Sequence, residues 1–581
     1  MLENSFLQNQ VEERATTVGA MQGMFSCAAE MTNIPQSRQL YIKKNVSIAF
    51  LYQVMRFLLL VSWAAVSLAL SIKPPLAPTQ DSFYDVPANV SGYKNGDIIK
   101  WRTPPAQLRS IYFPMNVKNA WQLLVKTEDS FGNPTAFVTT VMEPYNAIPS
   151  KVLSYQAFED SACLDCSPSY SVLYGASMNT IGIQYEVALM EIGLSKNWYV
   201  VLPDYEGPKS AFGVGPQSGK ATLDSIRAAL ASHDFTGIDG DAKVGLFGYS
   251  GGSIACGWAS QLQPSYAPEL KKSIAGAAFG GFVTNITSTA ISIDGTSFSG
   301  IAVAAMNGII QEFSSLKSIF VNQINSDKLS LFYEAKTLCL KQLGGVYHYV
   351  ELFTGANPWM YQGTRFFGIP QVAAVIMNTT LAVAQSDGVP EVPLFIFQGQ
   401  QDEVVPLEQP QRAFDNWCSW GAPSIEFALS SSSGHVLEGA TGFGAAFAWL
   451  EKIFDGHIPV EGCTRTIRKS NLLYPGADAN YRQFLDTLVK GIFGAKIGQD
   501  TDNLSESTML SKVLAYVLSE WFSLMNPLPQ PQVAFASSNS TARNETESRV
   551  FKGLGDVVRL WKSTGVNPWS VLQRNETISL R

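Results

Sequence analysis

The feature that most constrains the fold is an alternation of hydrophobic period through the middle of the chain, with a serine turn set at one of its junctions. Ile183, Val187, Met190 and Leu194 recur at helical spacing, and residues 198–202 follow as a short apolar strand. Leu223, Ile226 and Leu230 again share a helical face, residues 243–247 read as a strand, and 253–262 read as a helix. Strand and helix alternating in this way need crossover connections, and therefore a mostly parallel sheet covered by helices on both faces. Two more strands are expected at 393–397 and 425–429, the second leading into a helix from about 439 to 454. Upstream, residues 112–142 alternate around the turn signal Asp129-Ser130-Phe131-Gly132-Asn133-Pro134, a β-rich opening. Between about 281 and 388 the alternation stops, and amphipathic stretches at 301–313 and 329–340 predict an inserted helical cap.

Charge and cysteine content narrow the class. The chain of 581 residues is 46% apolar and 15% charged, enough to bury a large core and too apolar for a disordered chain. Its 41 Lys and Arg are spread among 48 Asp and Glu without a basic run, so no nucleic-acid partner is expected. Residues 57–70, FLLLVSWAAVSLAL, follow Met55 and Arg56 and precede a polar, proline-rich stretch, the layout of a secretory signal peptide over 55–71. Translation is then expected to start at Met55, with 1–54 a mis-assigned extension and the mature chain secreted; a real extension would instead make a membrane anchor. An oxidising route makes sequons available at Asn89, Asn285, Asn378, Asn503, Asn539, Asn544 and Asn575. The same route favours disulfides over a metal at Cys163-x-x-Cys166, since no second pair or histidine cluster stands at ligand spacing. Residues 501–581 carry one amphipathic helix candidate at 510–524, then Pro527, Pro529, Pro531 and a Ser/Asn-rich patch, a partly flexible extension.

The chemistry centres on Gly248-Tyr249-Ser250-Gly251-Gly252, a G-x-S-x-G string that ends a strand and opens a helix. A strained turn there lifts a serine hydroxyl above the sheet, and Gly248 and Gly252 leave room where a Cβ would clash. Serine is a weak nucleophile until an imidazole accepts its proton and a carboxylate orients the ring. Around a strand-to-helix serine these partners follow in the order acid, then histidine. Of the four histidines, His233 precedes the serine and His348 precedes any suitable acid, which leaves His435 in the SSSGH loop, with His457 as its rival. Asp402 stands just past the carboxyl end of the 393–397 strand, where sites of α/β sheets are built, with Glu403 beside it as the alternative.

The motif, its order and its flanking strings together resemble the fungal secretory lipase family, the lipase A-type branch of the α/β-hydrolases. The strings are SYQAFEDSACLDCSPSY from Ser154, PDYEGPKSAFGVG from Pro203, LDSIRAAL from Leu223, GYSGG from Gly248 and QDEVVP from Gln401, over most of 80–500. The resemblance implies an α/β-hydrolase fold over 72–500, with a mostly parallel sheet flanked by helices and a helical cap or lid. It implies a nucleophile Ser250, a base His435 and an acid Asp402, and an oxyanion hole made by the amides of Gly251 and Asp160. Without the resemblance, Asp160 reads equally as a turn acid or helix cap. It further implies disulfides Cys166 with Cys339 and Cys418 with Cys463, leaving Cys163 and Cys256 unassigned. Asp204 and Glu206 in PDYEG read as a structural turn off a strand. The implied activity is hydrolysis of carboxylic esters, foremost triacylglycerols at an oil–water interface, without cofactor, metal or stable protein partner. A general carboxylesterase, an acyltransferase and a non-catalytic lipid-binding protein are the alternatives. Apolar cap residues such as Phe313, Phe320, Phe332, Trp359, Phe366 and Phe367 could wall an acyl pocket or simply pack the cap onto the core.

Overall fold

The computed structural model describes residues 74–498 except 112, 459 and 493. The expected signal peptide, the upstream extension, the 510–524 helix and the sequons at Asn503, Asn539, Asn544 and Asn575 lie outside the described residues.

The turn signal at 129–134 does what its residues dictate. Asp129 Oδ1 accepts the amides of Phe131 and Asn133, and Gly132 takes φ 80°. This closes a hairpin between β2 (Asn119–Glu128) and β3 (Pro134–Glu143), with β1 (Ile98–Arg102) antiparallel outside β2. Beyond it come β4 (Lys151–Gln156), β5 (Tyr199–Pro203), β6 (Lys243–Tyr249), β7 (Ile274–Gly280), β8 (Leu394–Gly399), β9 (Ser424–Ser430) and β10 (Gly462–Arg468). Numbering these strands in chain order, the ten-stranded sheet runs β1-β2-β3-β5-β4-β6-β7-β8-β9-β10. Every pairing from β5 to β10 is parallel, as crossover connections demand.

The longer helices are α1 (Gln184–Ser195), α2 (Gly215–Ala231), α3 (Gly251–Tyr266), α4 (Ser299–Glu312), α5 (Pro370–Asn378), α6 (Glu408–Ser419), α7 (His435–Phe454) and α8 (Ala477–Ile492). The period of two along β6 sends Leu246 into a core with Leu223, Ile226, Ala255 and Trp258 of α2 and α3. Its neighbour Phe247 enters the opposite core with Val187 and Met190 of α1, Phe447 and Trp449 of α7, and Leu488 of α8. Both faces are therefore dry, each buried Leu or Phe contributing about 1.5–3 kcal/mol relative to exposure. This is the α/β-hydrolase architecture expected from the sequence.

Between β7 and β8 the described chain adds no strand to the large sheet; it forms α4, α5 and four shorter helices, Ile286–Ser292, Lys317–Gln323, Leu329–Glu334 and Leu340–Val346. The single helix expected at 329–340 is broken. Leu338 is extended at φ −115°, ψ 132°, and next to it Cys339 joins Cys166 across 5.5 Å between Cα atoms. The second disulfide links Cys418 of α6 to Cys463 of β10, while Cys163 and Cys256 are free and buried. Phe320, Phe332 and Phe366 are buried against one another, with the Phe320 and Phe366 ring centroids 4.8 Å apart, so these three pack the cap itself. Asn89 and Asn378 are exposed, whereas Asn285 is half-buried and caps the helix Ile286–Ser292 by accepting the amides of Thr287 and Ser288. Among the described residues no helix is long and apolar enough to cross a membrane.

Candidate active site

Parallel strands present all their carboxyl ends at one edge, and there the loops after β4, β6, β8 and β9 meet. Gln156 at the end of β4 is level with Gly248 of β6, and Gly399 of β8 is level with Ser430 of β9.

Ser250 sits between β6 and α3 with φ 51° and ψ −119°, a conformation that L side chains rarely adopt. A Cβ on Gly248 would stand 2.5 Å from the carbonyl oxygen of Gly252, and one on Gly252 would overlap the carbonyl of Gln156. The two glycines thus let the strand-to-helix turn close tightly enough to lift the serine.

His435 is the first residue of α7, not a loop residue before it; the helix begins four residues earlier than its periodicity suggests. The reason is a capping contact: the Glu403 carboxylate accepts the His435 amide at 2.7 Å, satisfying a donor at the helix start. The ring lies between its partners, with Nε2 2.8 Å from Ser250 Oγ and Nδ1 2.9 Å from Asp402 Oδ2. Tyr249 holds it from below, donating its hydroxyl to the His435 carbonyl at 2.6 Å with ring centroids 5.2 Å apart. Gly281, at φ 53°, is pressed so close to both rings that a Cβ would come within 2.7 Å of His435 Cε1 and 2.9 Å of Tyr249 Cζ.

Asp402 is held in place by three further donors. Its Oδ1 accepts the amides of Val404 and Val405 at 2.9 and 2.7 Å, and its Oδ2 accepts Gln398 Nε2 at 2.7 Å. Burial alone would disfavour protonation of His435, but the charge and hydrogen bond of Asp402, with Glu403 and Asp160 nearby, outweigh it and raise the imidazole pKa. The other histidines stand apart: His233 Nδ1 bonds the Ile238 carbonyl at 2.9 Å, and His457 is exposed past the end of α7.

Across from the serine, Asp160 in the loop after β4 takes φ 48° and is buried. A Cβ on Gly251 would collide with Asp160 Oδ1, which places the two residues side by side. Neither amide donates to an acceptor among the described residues. Burial pushes the Asp160 carboxyl up to about 7, with His435 opposing.

Sequence reasoning took Glu403 only as a rival or a loop acid, and it missed Gln398. No group of three or more His, Cys, Asp or Glu among the described residues is arranged to hold a metal.

Comparison with known proteins places the chain in a family. The family described as "Secretory lipase" matches residues 173–462. Lipase 2 and Lipase 1 of Candida albicans are each 45% identical, over 76% and 75% of this chain and 95% and 93% of their own length. Lipase A of Arthroderma benhamiae is 35% identical over 74% of this chain and 91% of its own. Among solved structures, Candida antarctica lipase A in its closed state superposes with a TM-score of 0.63 at 27% identity, covering 73% of this chain and all 100% of that one. The chain belongs to the secretory lipase family of ester-hydrolysing enzymes.

Proposed function

We propose that this chain is a secreted triacylglycerol lipase that works through a Ser250–His435–Asp402 triad and an acyl-enzyme. The observation that carries the reading is the continuous relay from Asp402 through both ring nitrogens of His435 to Ser250 Oγ, beside two unengaged amides. In the acylation step His435 Nε2 takes the Ser250 proton as Oγ bonds the ester carbonyl carbon. The carbonyl oxygen becomes an oxyanion between the Gly251 and Asp160 amides, each such donor worth about 3 kcal/mol. Collapse breaks the bond to the alcohol oxygen, and His435 returns its proton to that leaving group. Water then repeats the sequence, releasing the fatty acid and restoring Ser250. Asp402 fixes the ring with Nδ1–H toward itself and stabilises the imidazolium that forms.

The test expresses the full chain, collects protein from the medium, reads its N-terminus, and measures fatty acid released from emulsified triolein beside p-nitrophenyl butyrate. The expected N-terminus lies near Ile72, and the Ser250→Ala variant loses at least about a thousandfold on both esters. Cleavage of the short ester alone reduces the substrate class to a general carboxylesterase. Transfer to an added alcohol in preference to water identifies an acyltransferase, and folded protein without turnover on either ester returns the reading to lipid binding.

A further inference from the structure

The loop that carries Asp160 rests on carboxyl groups facing almost no positive charge. Glu159, Asp160, Glu186, Asp204 and Glu206 are all at most 5% exposed. Both carboxylate oxygens of Glu206, Oε1 of Glu159 and Oδ1 of Asp160 have no hydrogen-bond partner among the described residues. Asp204 accepts the amide and hydroxyl of Ser169 at 2.7 and 2.5 Å, and Glu186 accepts the Phe158 amide and, at 3.1 Å, the Tyr155 hydroxyl. Tyr205 donates to the Ala157 carbonyl at 2.7 Å. Residues 157–160, which lead to the proposed oxyanion amide, are thus fastened to the PDYEG turn and to α1.

The groups facing this cluster are mostly acids. Glu159 faces Glu206, Asp204, Asp160 and the Cys163 thiol, and Glu206 faces Asp160 and Asp204. Among the described residues, the one cationic group facing the cluster is His435, which faces Asp160. Lys209, three residues beyond Glu206, is committed to Glu312 at 3.0 Å and to Asp129 at 3.7 Å. Carboxylates in a dry site without donors or cations cannot all be charged, so the unpartnered ones keep their protons.

We propose that Glu159 and Glu206 are positioning residues: packed uncharged beside the Asp160 loop they let it stay seated against Ser250, and their ionisation drives the loop away and sets the alkaline limit of catalysis. This rests on the hydrolase reading and on the Asp160 amide as an oxyanion donor. Its logic is local. Asp160 is the residue after Glu159 and holds a positive φ of 48° that its surroundings must maintain. Charging Glu159 beside Glu206 sets like charges against each other at the base of that turn. Burial first, and then the neighbouring acids, push the Glu159 and Glu206 carboxyls well above the usual carboxylate range, while burial holds Asp204 at about 7.

The experiment measures kcat and KM on a soluble short-chain ester from pH 4 to 10, with the rate of Ser250 labelling by a fluorophosphonate and circular dichroism at each pH. It uses the full chain, Glu206→Gln, Glu159→Gln and Glu206→Ala. In the parent, kcat falls on the alkaline side while the dichroism holds, and it recovers on return to pH 5. Either glutamine, an uncharged stand-in for the neutral acid, moves the midpoint of that fall upward by at least about one pH unit. Glu206→Ala lowers kcat more than about tenfold at every pH with little change in KM. An alkaline midpoint that stays put in both glutamine variants overturns the proposal, as does failure of both to fold at pH 5. If the parent shows no Ser250-dependent turnover or labelling at any pH, the hydrolase reading falls and takes this one with it; an unmoved midpoint in an active enzyme sinks this one alone.

Discussion

Two neighbouring carboxylates reach His435 and do different work. Asp402 meets Nδ1 of the ring, with its side chain fully shielded from solvent, whereas Glu403 meets the main-chain amide. Asp402→Asn keeps the shape but turns an N–H toward Nδ1, which favours the tautomer that cannot accept the serine proton. A loss of about 10⁴ in kcat is expected. Glu403→Ala removes a cap, expected to cost about 0.5–2 kcal/mol of stability and less than about tenfold in kcat. Steady-state kinetics and thermal melts on the two variants check the division, and equal losses in kcat would overturn it. Ser250 and Asp402 were legible in the sequence because glycine spacing and a strand end mark them. The contributions of Glu403, Gln398 and Tyr249 were not. Glu403 and Tyr249 bond backbone atoms of a residue 32 and 186 positions away, and no side-chain pattern records such a contact. His435 itself was legible by order, but its place as the first residue of α7 depended on that same hidden cap.

At the scale of elements, runs of large apolar residues made β5, β6, β8 and β9 readable, whereas β7 and β10 carry no such run. β7, with the sequence IAGAAFG, shows no alternation because it is covered on both sides, and its Gly276 leaves the space that the Trp449 ring of α7 fills, a Cβ there coming within 2.7 Å of Cη2. β10, with the sequence GCTRTIR, is the opposite case. It is a sheet edge with exposed and half-exposed positions in turn, and its arginines blunt it against pairing with other chains. What fixes this edge is the Cys418–Cys463 bridge to α6, spanning 45 positions. Replacing both cysteines by alanine is expected to destabilise the protein by about 4 kcal/mol on the loop-entropy account. Calorimetry should register this as a melting temperature lower by roughly 4–5 °C. Turnover at 25 °C should survive, because Cys463 is level with Ile425 at the amino end of β9, while the loop to His435 leaves from Ser430 at the other end. A drop in kcat equal to that of a triad variant would mean that the edge strand shapes the site after all.

For the whole molecule, buried acids decide how stability depends on pH. Burial raises Asp160 and Asp204 to about 7 and Glu191 to about 8, and it pushes Glu159, Glu186 and Glu206 well above the ordinary range. An acid with a raised native pKa binds more protons folded than unfolded between about pH 4 and its native value, so stability falls as pH climbs through that interval. His435 acts with the same sign: its raised pKa contributes stability below about 6.5 that is lost as pH passes the folded value. On the acid side the opposite group takes over. Hydrogen bonds from Arg102, Asn95, Asn133 and Arg227 outweigh partial burial and lower the pKa of Asp81, Glu128, Asp129 and Glu269, contributions lost as pH drops below the carboxylate range. Of the four, Glu269 is more than half exposed and correspondingly weak. The net charge of −7 adds self-repulsion that grows in the alkaline direction. The melting temperature should therefore peak between about pH 4 and 6 and decline steadily to pH 8 in buffers of constant ionic strength. Glu191 on α1 offers a control away from Ser250. Its Glu191→Gln variant removes one of the raised acids and should flatten the decline between pH 5 and 8 without moving the alkaline limb of kcat. A melting temperature that holds or rises from pH 5 to 8 would mean that these acids are charged in the native state, matched by donors that ordered water supplies.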